Sequence, residues 1–272
     1  MANENYYNFV VNLVREAGKR LRLARNKKII VFQKGDDWRD VVTNVDIDIN
    51  DFLASEIKKT FPGHRLYSEE QENFIDAEKN SPFEWAIDPI DGSANFSRGI
   101  PHFSVCVGLL KKEVSVVGAV YNPVTDEFFS FEKGRGVFLN NVAIYASGIE
   151  KISEAFVLMR VGREESLLKW GMEMQFALLK SAKKTNNWGS AALDLCFLAA
   201  GRVEAVIYGT FSAREMAGAV GILRAAGGEV YTLTGQPVSF LPKRQTIIAA
   251  ANKKILAEVL ALAHSNLLPP LL

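Results

Sequence analysis

The chain has only two cysteines and three histidines among its 272 residues, and almost no excess of charge of either sign. Cys106 and Cys196 stand far apart, each inside an apolar run ("SVCVGLL", "LDLCFLAA"), so buried thiols are expected rather than a disulfide framework. His64, His102 and His264 are scattered, which leaves a histidine general base or a phosphohistidine without support. A Gly-x-x-x-x-Gly-Lys phosphate loop is also missing. Thirty-two basic residues against 31 acidic ones leave a formal charge of +1, which gives no support to a general nucleic-acid or membrane-surface role. No stretch reaches the ~18 unbroken apolar residues of a membrane span. The opening "MANENYYNFVVNLVREAGKR" lacks the basic start and continuous apolar run of a signal peptide. The expectation is a soluble cytoplasmic protein.

The hydrophobic content, 48%, is enough for a sizeable core. Phe9, Leu13, Ala17 and Leu21 recur every four residues and predict an opening amphipathic helix. A second helix carries Val45, Ile49, Phe52, Leu53 and Ile57 on one side, with Asn44 as its expected cap, and stops before Pro62-Gly63. The runs "FEWAID", "FSVCVGLL", "VSVVGAVYN" and "EFFSFEK" predict strands, the last three as an antiparallel meander. Residues 71–81 read as an exposed polar excursion. Beyond residue 150, helical and strand patterns alternate. The expectation is an α+β chain forming one unit over 1–272, with a possible seam near 140–150 between an N-terminal lobe (1–145) and a C-terminal lobe (146–272).

The stretch "WAIDPIDGSANF" puts Asp88 and Asp91 where an apolar strand ends. Pro89 removes a backbone donor, Gly92 permits a tight turn, and Ser93 begins a short helix. A tight turn would face the Ile90 carbonyl to the same side as the carboxylates. Clustered oxygens suit a hard cation such as Mg²⁺, and amides at Gly92 and Ser93 suit an anion. An ordinary strand-to-turn exit remains the alternative. Glu69-Glu70 after the strand "HRLYS", and Asp46 at a helix start, add acidic loops. Read singly, each is also a solvated strand exit or a helix-dipole charge.

Taken in order, "DVVTNVD", "SEE", "WAIDPIDGSANF", "GSAALDLC" and "AGAVGILRAAGGEV" resemble the inositol monophosphatase family. Its wider group of lithium-sensitive, magnesium-dependent phosphatases includes fructose-1,6-bisphosphatases and 3′-nucleotidases. The likeness runs from about Lys34 to Asn252. It implies a layered α/β/α/β/α sandwich, a homodimer, and Mg²⁺-dependent hydrolysis of a phosphate monoester of a polyol, sugar or nucleotide. It implies metal ligands at Glu69, Asp88, the Ile90 carbonyl, Asp91 and Glu215, with Glu69, Asp46 and Ser93 readying the attacking water. The same likeness places Gly92, Ser93, Lys34, Gly189 and Ser190 on the substrate side. Two departures stand out. Arg214-Glu215 replaces the usual Trp-Asp, so one metal is expected to bind more weakly or in altered geometry, with Arg214 offsetting charge or touching an acidic substrate group. Tyr208 stands where inositol-preferring members often have Glu, which leaves fructose-1,6-bisphosphate or a 3′(2′),5′-bisphosphate nucleotide admissible. A protein of the same fold that regulates or binds without turnover is the rival of another class.

Overall fold

The computed structural model describes residues 5–35, 37–75, 81–240 and 244–265, and the chain divides into two compact units. The first unit comprises Met1–Val142 together with two later pieces, Gly189–Leu193 and Arg214–Ile222. The second comprises Ala143–Trp188, Asp194–Ala213 and Leu223–Leu272. The first division falls between Val142 and Ala143, and the return of two short segments to the first unit means that neither unit is continuous in sequence.

In the first unit the chain runs through α1 (Tyr6–Ala24), the hairpin β1 (Val31–Gln33) and β2 (Val41–Thr43), α2 (Asn44–Thr60), β3 (Arg65–Ser68) and β4 (Gln71–Ile75). It continues through β5 (Phe83–Asp91), the single-turn α3 (Ser93–Ser97), β6 (Ser104–Lys111), β7 (Val114–Asn122), β8 (Glu127–Glu132), β9 (Gly136–Leu139) and β10 (Val142–Ala143). Among the described residues the sheet order is β10-β9-β8-β7-β6-β5-β3-β4. β6, β7 and β8 form the expected antiparallel meander, β5 joins it antiparallel to β6, and β3 pairs parallel to β5. Two expectations are corrected here. Thr43, not Asn44, caps α2; its hydroxyl accepts from the Val45 and Asp46 amides. Gln71–Ile75 forms an edge strand against β3, because the ladder needs only backbone groups and tolerates polar side chains. The rest of that predicted excursion, 76–80, lies outside the described residues, as does Asp36 of the charged loop before β2.

The two faces of this sheet are chemically different because side chains alternate along each strand. Trp85 and Ile87 of β5, with Val105, Val107 and Leu109 of β6, belong to the core that also takes Val10, Val14 and Leu21 of α1 and Ile49 and Leu53 of α2. On the opposite face Ala86, Gly108 and Gly118 are paired in a row across β5, β6 and β7. This row is a shallow trough, and the Arg214–Ile222 segment lies directly in it. A Cβ on Gly108 would stand 2.4 Å from the Gly218 nitrogen, and one on Gly118 would stand 2.6 Å from the Gly218 Cα. The small residues of "AGAVGILRAAGG" thus serve close backbone approach.

In the second unit β11 (Phe156–Arg160), α4 (Glu165–Ser181), β12 (Lys184–Asn186), β13 (Ala205–Phe211), β14 (Glu229–Thr232), β15 (Gln245–Ala250) and α7 (Lys253–Ser265) form a layer of helices on a sheet. Its order is β12-β11-β13-β15-β14, with β12 and β13 parallel to β11 and β15 antiparallel to β13. Helices α5 (Ala191–Ala199) and α6 (Ala217–Ala225) each carry the chain from one unit into the other. No helix among the described residues is long and apolar enough to cross a membrane.

If the trough sets the height of the Arg214–Ile222 segment, Gly108→Ala should destabilise the protein by about 1–3 kcal/mol through overpacking. Urea unfolding measures this; wild-type stability in the variant would show that the segment has room to move.

Candidate active site

The site is built where β3 and β5 end. Their parallel register sets Ser68 beside Ile87, so the next residues, Glu69 and Asp88, become neighbours. Pro89 has no amide to give the ladder, and the β5–β6 register slips between Asp88 and Asp91. This bulge turns Asp91 to its own set of partners. Its carboxylate accepts from the Ala191 amide at 3.0 Å, the Ala192 amide at 2.8 Å and the Ser190 hydroxyl. Asp91 therefore sits at the N-terminus of α5, where the helix dipole and unpaired amides favour a negative charge.

Asp46 is wholly buried in the first turn of α2. One oxygen accepts from the Thr43 amide at 2.8 Å and the Thr43 hydroxyl at 2.5 Å, closing a capping box. The other accepts from the Ser93 hydroxyl at 2.5 Å, and Ser93 Oγ also lies 2.8 Å from the Ile90 carbonyl oxygen. Ser93 thus has its proton directed at two fixed acceptors. It opens α3 behind Gly92, whose φ of +93° lies in the left-handed region. A Cβ there would also come within 3.1 Å of the His102 carbonyl oxygen, so glycine is required twice over.

Lys34, just after β1, brings its ammonium within 3.0 Å of Glu69 Oε1 and 3.1 Å of Glu70 Oε1. Burial works against its charge, but Glu69 and then Glu70 outweigh that and raise its pKa above the ordinary lysine value. Glu70 is pushed up to about 7, first by burial and then by the adjacent Glu69 charge. Burial also raises Asp46, partly offset by the hydrogen bonds from Ser93 and Thr43.

Asp88 is the centre of the problem. Only 2% exposed, it is raised well above the usual carboxylate range by burial and then by the charges of Glu69, Asp91 and Glu215. Its Oδ1 is buried with no hydrogen-bond partner among the described residues. A buried carboxylate oxygen without a donor, facing three further carboxylates, is costly unless a cation or a proton answers it. The oxygens present suit a hard cation, and among the described residues no three His, Cys, Asp or Glu side chains are already drawn into a closed ligand set. Physical reasons are visible: Glu69 is turned to Lys34 and Asp91 to its three donors.

Four residues expected on the substrate side have the following surroundings. Arg214 is buried and its guanidinium holds Glu84 through two hydrogen bonds of 2.6 Å, an internal ion pair. Ser190 is fully buried and donates to Asp91, so the start of α5 supports a carboxylate. Gly189, with φ +82°, lets the chain turn just before it. Tyr208 lies on β13 in the second unit, 2% exposed, and its hydroxyl donates to Asp194 at 2.5 Å. Sequence reasoning missed Glu84, Tyr67 and Thr43. A buried Arg in place of Trp was the available signal for Glu84, because such a charge demands a counter-charge. Nothing local marked Tyr67.

Two predictions follow from these charges. Removing Arg214 leaves Glu84, 2% exposed, with the more distant Arg65 at 3.2 Å, so Arg214→Met should cost about 3 kcal/mol in urea unfolding. Restoration of that loss by adding Glu84→Gln would identify the unpaired charge as its cause, whereas no recovery would exclude it. The raised carboxylates set the sign of the pH dependence. Their folded values exceed the unfolded ones, so their contribution is present below the ordinary carboxylate range and is lost as pH rises; for Glu70 the window runs from 4.5 to about 7. In EDTA the melting temperature should fall across that window, and Glu70→Gln should flatten the fall. A flat profile in the wild-type chain would contradict the charge crowding.

Comparison with known proteins agrees with this architecture. The sequence model of the inositol monophosphatase family matches residues 2–268. The chain is 30% identical over 237 residues to an inositol-1-monophosphatase of Bacillus subtilis, covering 86% of this chain and 88% of the relative. It is 34% identical over 253 residues to the Nus factor SuhB of Vibrio cholerae, covering 87% and 91%. Among solved structures, the extragenic suppressor protein suhB of Bartonella henselae superposes with a TM-score of 0.88 at 26% identity, covering 96% of this chain and 98% of the other. A Thermotoga maritima IMPase gives 0.84 at 25% identity, covering 95% and 96%. The α+β fold class expected from the sequence is the one these relatives share, and the chain belongs to the inositol monophosphatase family.

Proposed function

We propose that the chain is a Mg²⁺-dependent phosphate monoester hydrolase acting on a small phosphorylated polyol, in the manner of an inositol-1-monophosphatase. The observation that carries this reading is the partnerless buried oxygen of Asp88 within a ring of carboxylates, beside a serine whose hydroxyl is fixed by a buried aspartate.

Glu69, Asp88, Asp91 and Glu215, with the Ile90 carbonyl, would hold the cation. Bound there, Mg²⁺ supplies Lewis-acid charge against the negative phosphate and lowers the pKa of water. The rest is done by the chain itself. Ser93 Oγ donates its hydrogen bond to Asp46 and the Ile90 carbonyl, which leaves its lone pairs to accept from a water and aim it at phosphorus. The first-turn amides of α3, which have no intrahelical acceptors, suit the phosphate oxygens. As the water oxygen bonds to phosphorus, the ester P–O bond breaks. The alcohol leaves with a proton that originates from that water. Lys34, held between Glu69 and Glu70, places a fixed positive charge at the rim. Fructose-1,6-bisphosphate and a 3′(2′),5′-bisphosphate nucleotide fit the same chemistry.

A second reading is favoured by the relatives that bear the name Nus factor SuhB: a protein of this fold that works through a partner without turnover. The retained Asp46–Ser93 pair favours the hydrolase, since a purely structural helix cap has no need of a second hydroxyl on the free carboxylate oxygen. A homodimer is proposed as the assembly, to be checked by light scattering.

Purified protein should release phosphate from at least one of inositol 1-phosphate, fructose-1,6-bisphosphate, a 3′,5′-bisphosphonucleoside or glycerol phosphate, and only with Mg²⁺. Ser93→Ala should lower kcat by about 10²–10⁴-fold. Release from none of the substrates would favour the partner-dependent reading, and full activity in Ser93→Ala would remove Ser93 from the reaction.

A further inference from the structure

The polar face of β3 and β5 carries more than the acidic cluster. Alternation puts Arg65 and Tyr67 on one face of β3, the register sets Glu84 and Ala86 beside them, and Glu69 and Asp88 follow just past the last register pair. Arg65 pairs with Glu84 at 3.2 Å, and Arg214 holds the same carboxylate from the overlying segment. Tyr67 lies between that ion pair and the carboxylates. Its ring sits 4.7 Å from the Arg214 guanidinium carbon, within cation–π range. Its hydroxyl donates to Glu215 Oε1 at 3.2 Å. Ala86, the register partner of Tyr67, is small enough to leave the phenol its space.

Glu215 needs such support. Its backbone is set by the trough, with its carbonyl oxygen 4.0 Å from the Sγ of Cys106, the cross-strand partner of Asp88. Its side chain, one methylene longer than the family's usual aspartate, has an extra torsion to fix. A phenol donating to one carboxylate oxygen fixes that torsion and cannot neutralise the charge, so the group remains a ligand. Arg214, locked on Glu84, holds the ring from the other side.

We infer that Tyr67 is the positioning residue for Glu215, and that the Arg214–Glu84 pair is its anchor, so that phenol and ion pair together adapt the site to a glutamate at this position. This rests on the reading of the acidic cluster as a Mg²⁺ site. Arg214 and Tyr67 thereby become one device, and the Arg-Glu departure becomes a re-engineered ligand mount rather than damage.

The test is a double-mutant cycle of Tyr67→Phe and Glu215→Gln. Mg²⁺ binding is followed by calorimetry, and the melting temperature in EDTA is measured for each protein. Tyr67→Phe should weaken Mg²⁺ binding roughly tenfold, the size expected for a hydrogen bond to a charged group, while its melting temperature in EDTA stays near wild type. In the Glu215→Gln background the same change should have little further effect, because the contact it removes no longer matters. Equal weakening in both backgrounds, or wild-type binding by Tyr67→Phe, would overturn the inference and leave the Mg²⁺ site intact. A loss confined to the melting temperature in EDTA would likewise overturn it by making Tyr67 merely structural. No Mg²⁺ uptake by the unmutated chain at millimolar concentration would overturn the site itself, and this inference with it.

Discussion

Like charges crowded into a buried space need an answering charge, and in this chain the crowding is a direct product of strand pairing. β3 and β5 run parallel with Ser68 beside Ile87, and the residue after each is acidic. The bulge at Pro89 then brings Asp91 into the same region, and the trough lowers Glu215 onto it. Asp88 is the residue with a buried oxygen, Oδ1, that no described residue answers: the other three have Lys34, the start of α5 and Tyr67. The β3–β5 register is thus the constraint from which the functional reading derives.

Around this centre, supports of very different range cooperate. The Asp46 capping box is made within one helical turn and sets Ser93 through a single hydrogen bond. The small-residue row of Ala86, Gly108 and Gly118 acts through shape, permitting a helix-forming segment to touch the sheet. The Glu84 ion pairs lie one strand step along the same face, where Arg65 and Arg214 compensate a charge that burial alone would forbid. Each device is ordinary, and together they surround the ends of β3 and β5.

Most of the first unit was legible because its signals are local. "WAIDPIDGSANF" reads as a strand, a turn and a short helix, and the β6–β8 meander follows from β-branched and aromatic runs; the bulge between Asp88 and Asp91 was not read. What escaped was pairing at long range. Arg214 and Glu84 are 130 residues apart, and Tyr67 and Glu215 are 148 apart, so no window of sequence contains either pair. Asn44 and Thr43 are both good caps, and the choice between them depends on the β1–β2 hairpin, where the Asn44 side chain accepts from the Ile30 amide at 2.8 Å. The hydrogen bond from Tyr208 to Asp194, on a helix, was likewise not marked by any periodicity. The helix start at Ser190 offers its amides to Asp91, a contact that no local window showed.

The central claim is that Asp88 and its acidic neighbours form a site for a divalent cation. Crystals grown with Mn²⁺, a close substitute for Mg²⁺ at oxygen ligands, would test it through the anomalous signal of the metal. The account predicts a peak among Glu69, Asp88 and Asp91, against Asp88 Oδ1. A well-ordered map with no peak there, and Asp88 still without a partner, would contradict it.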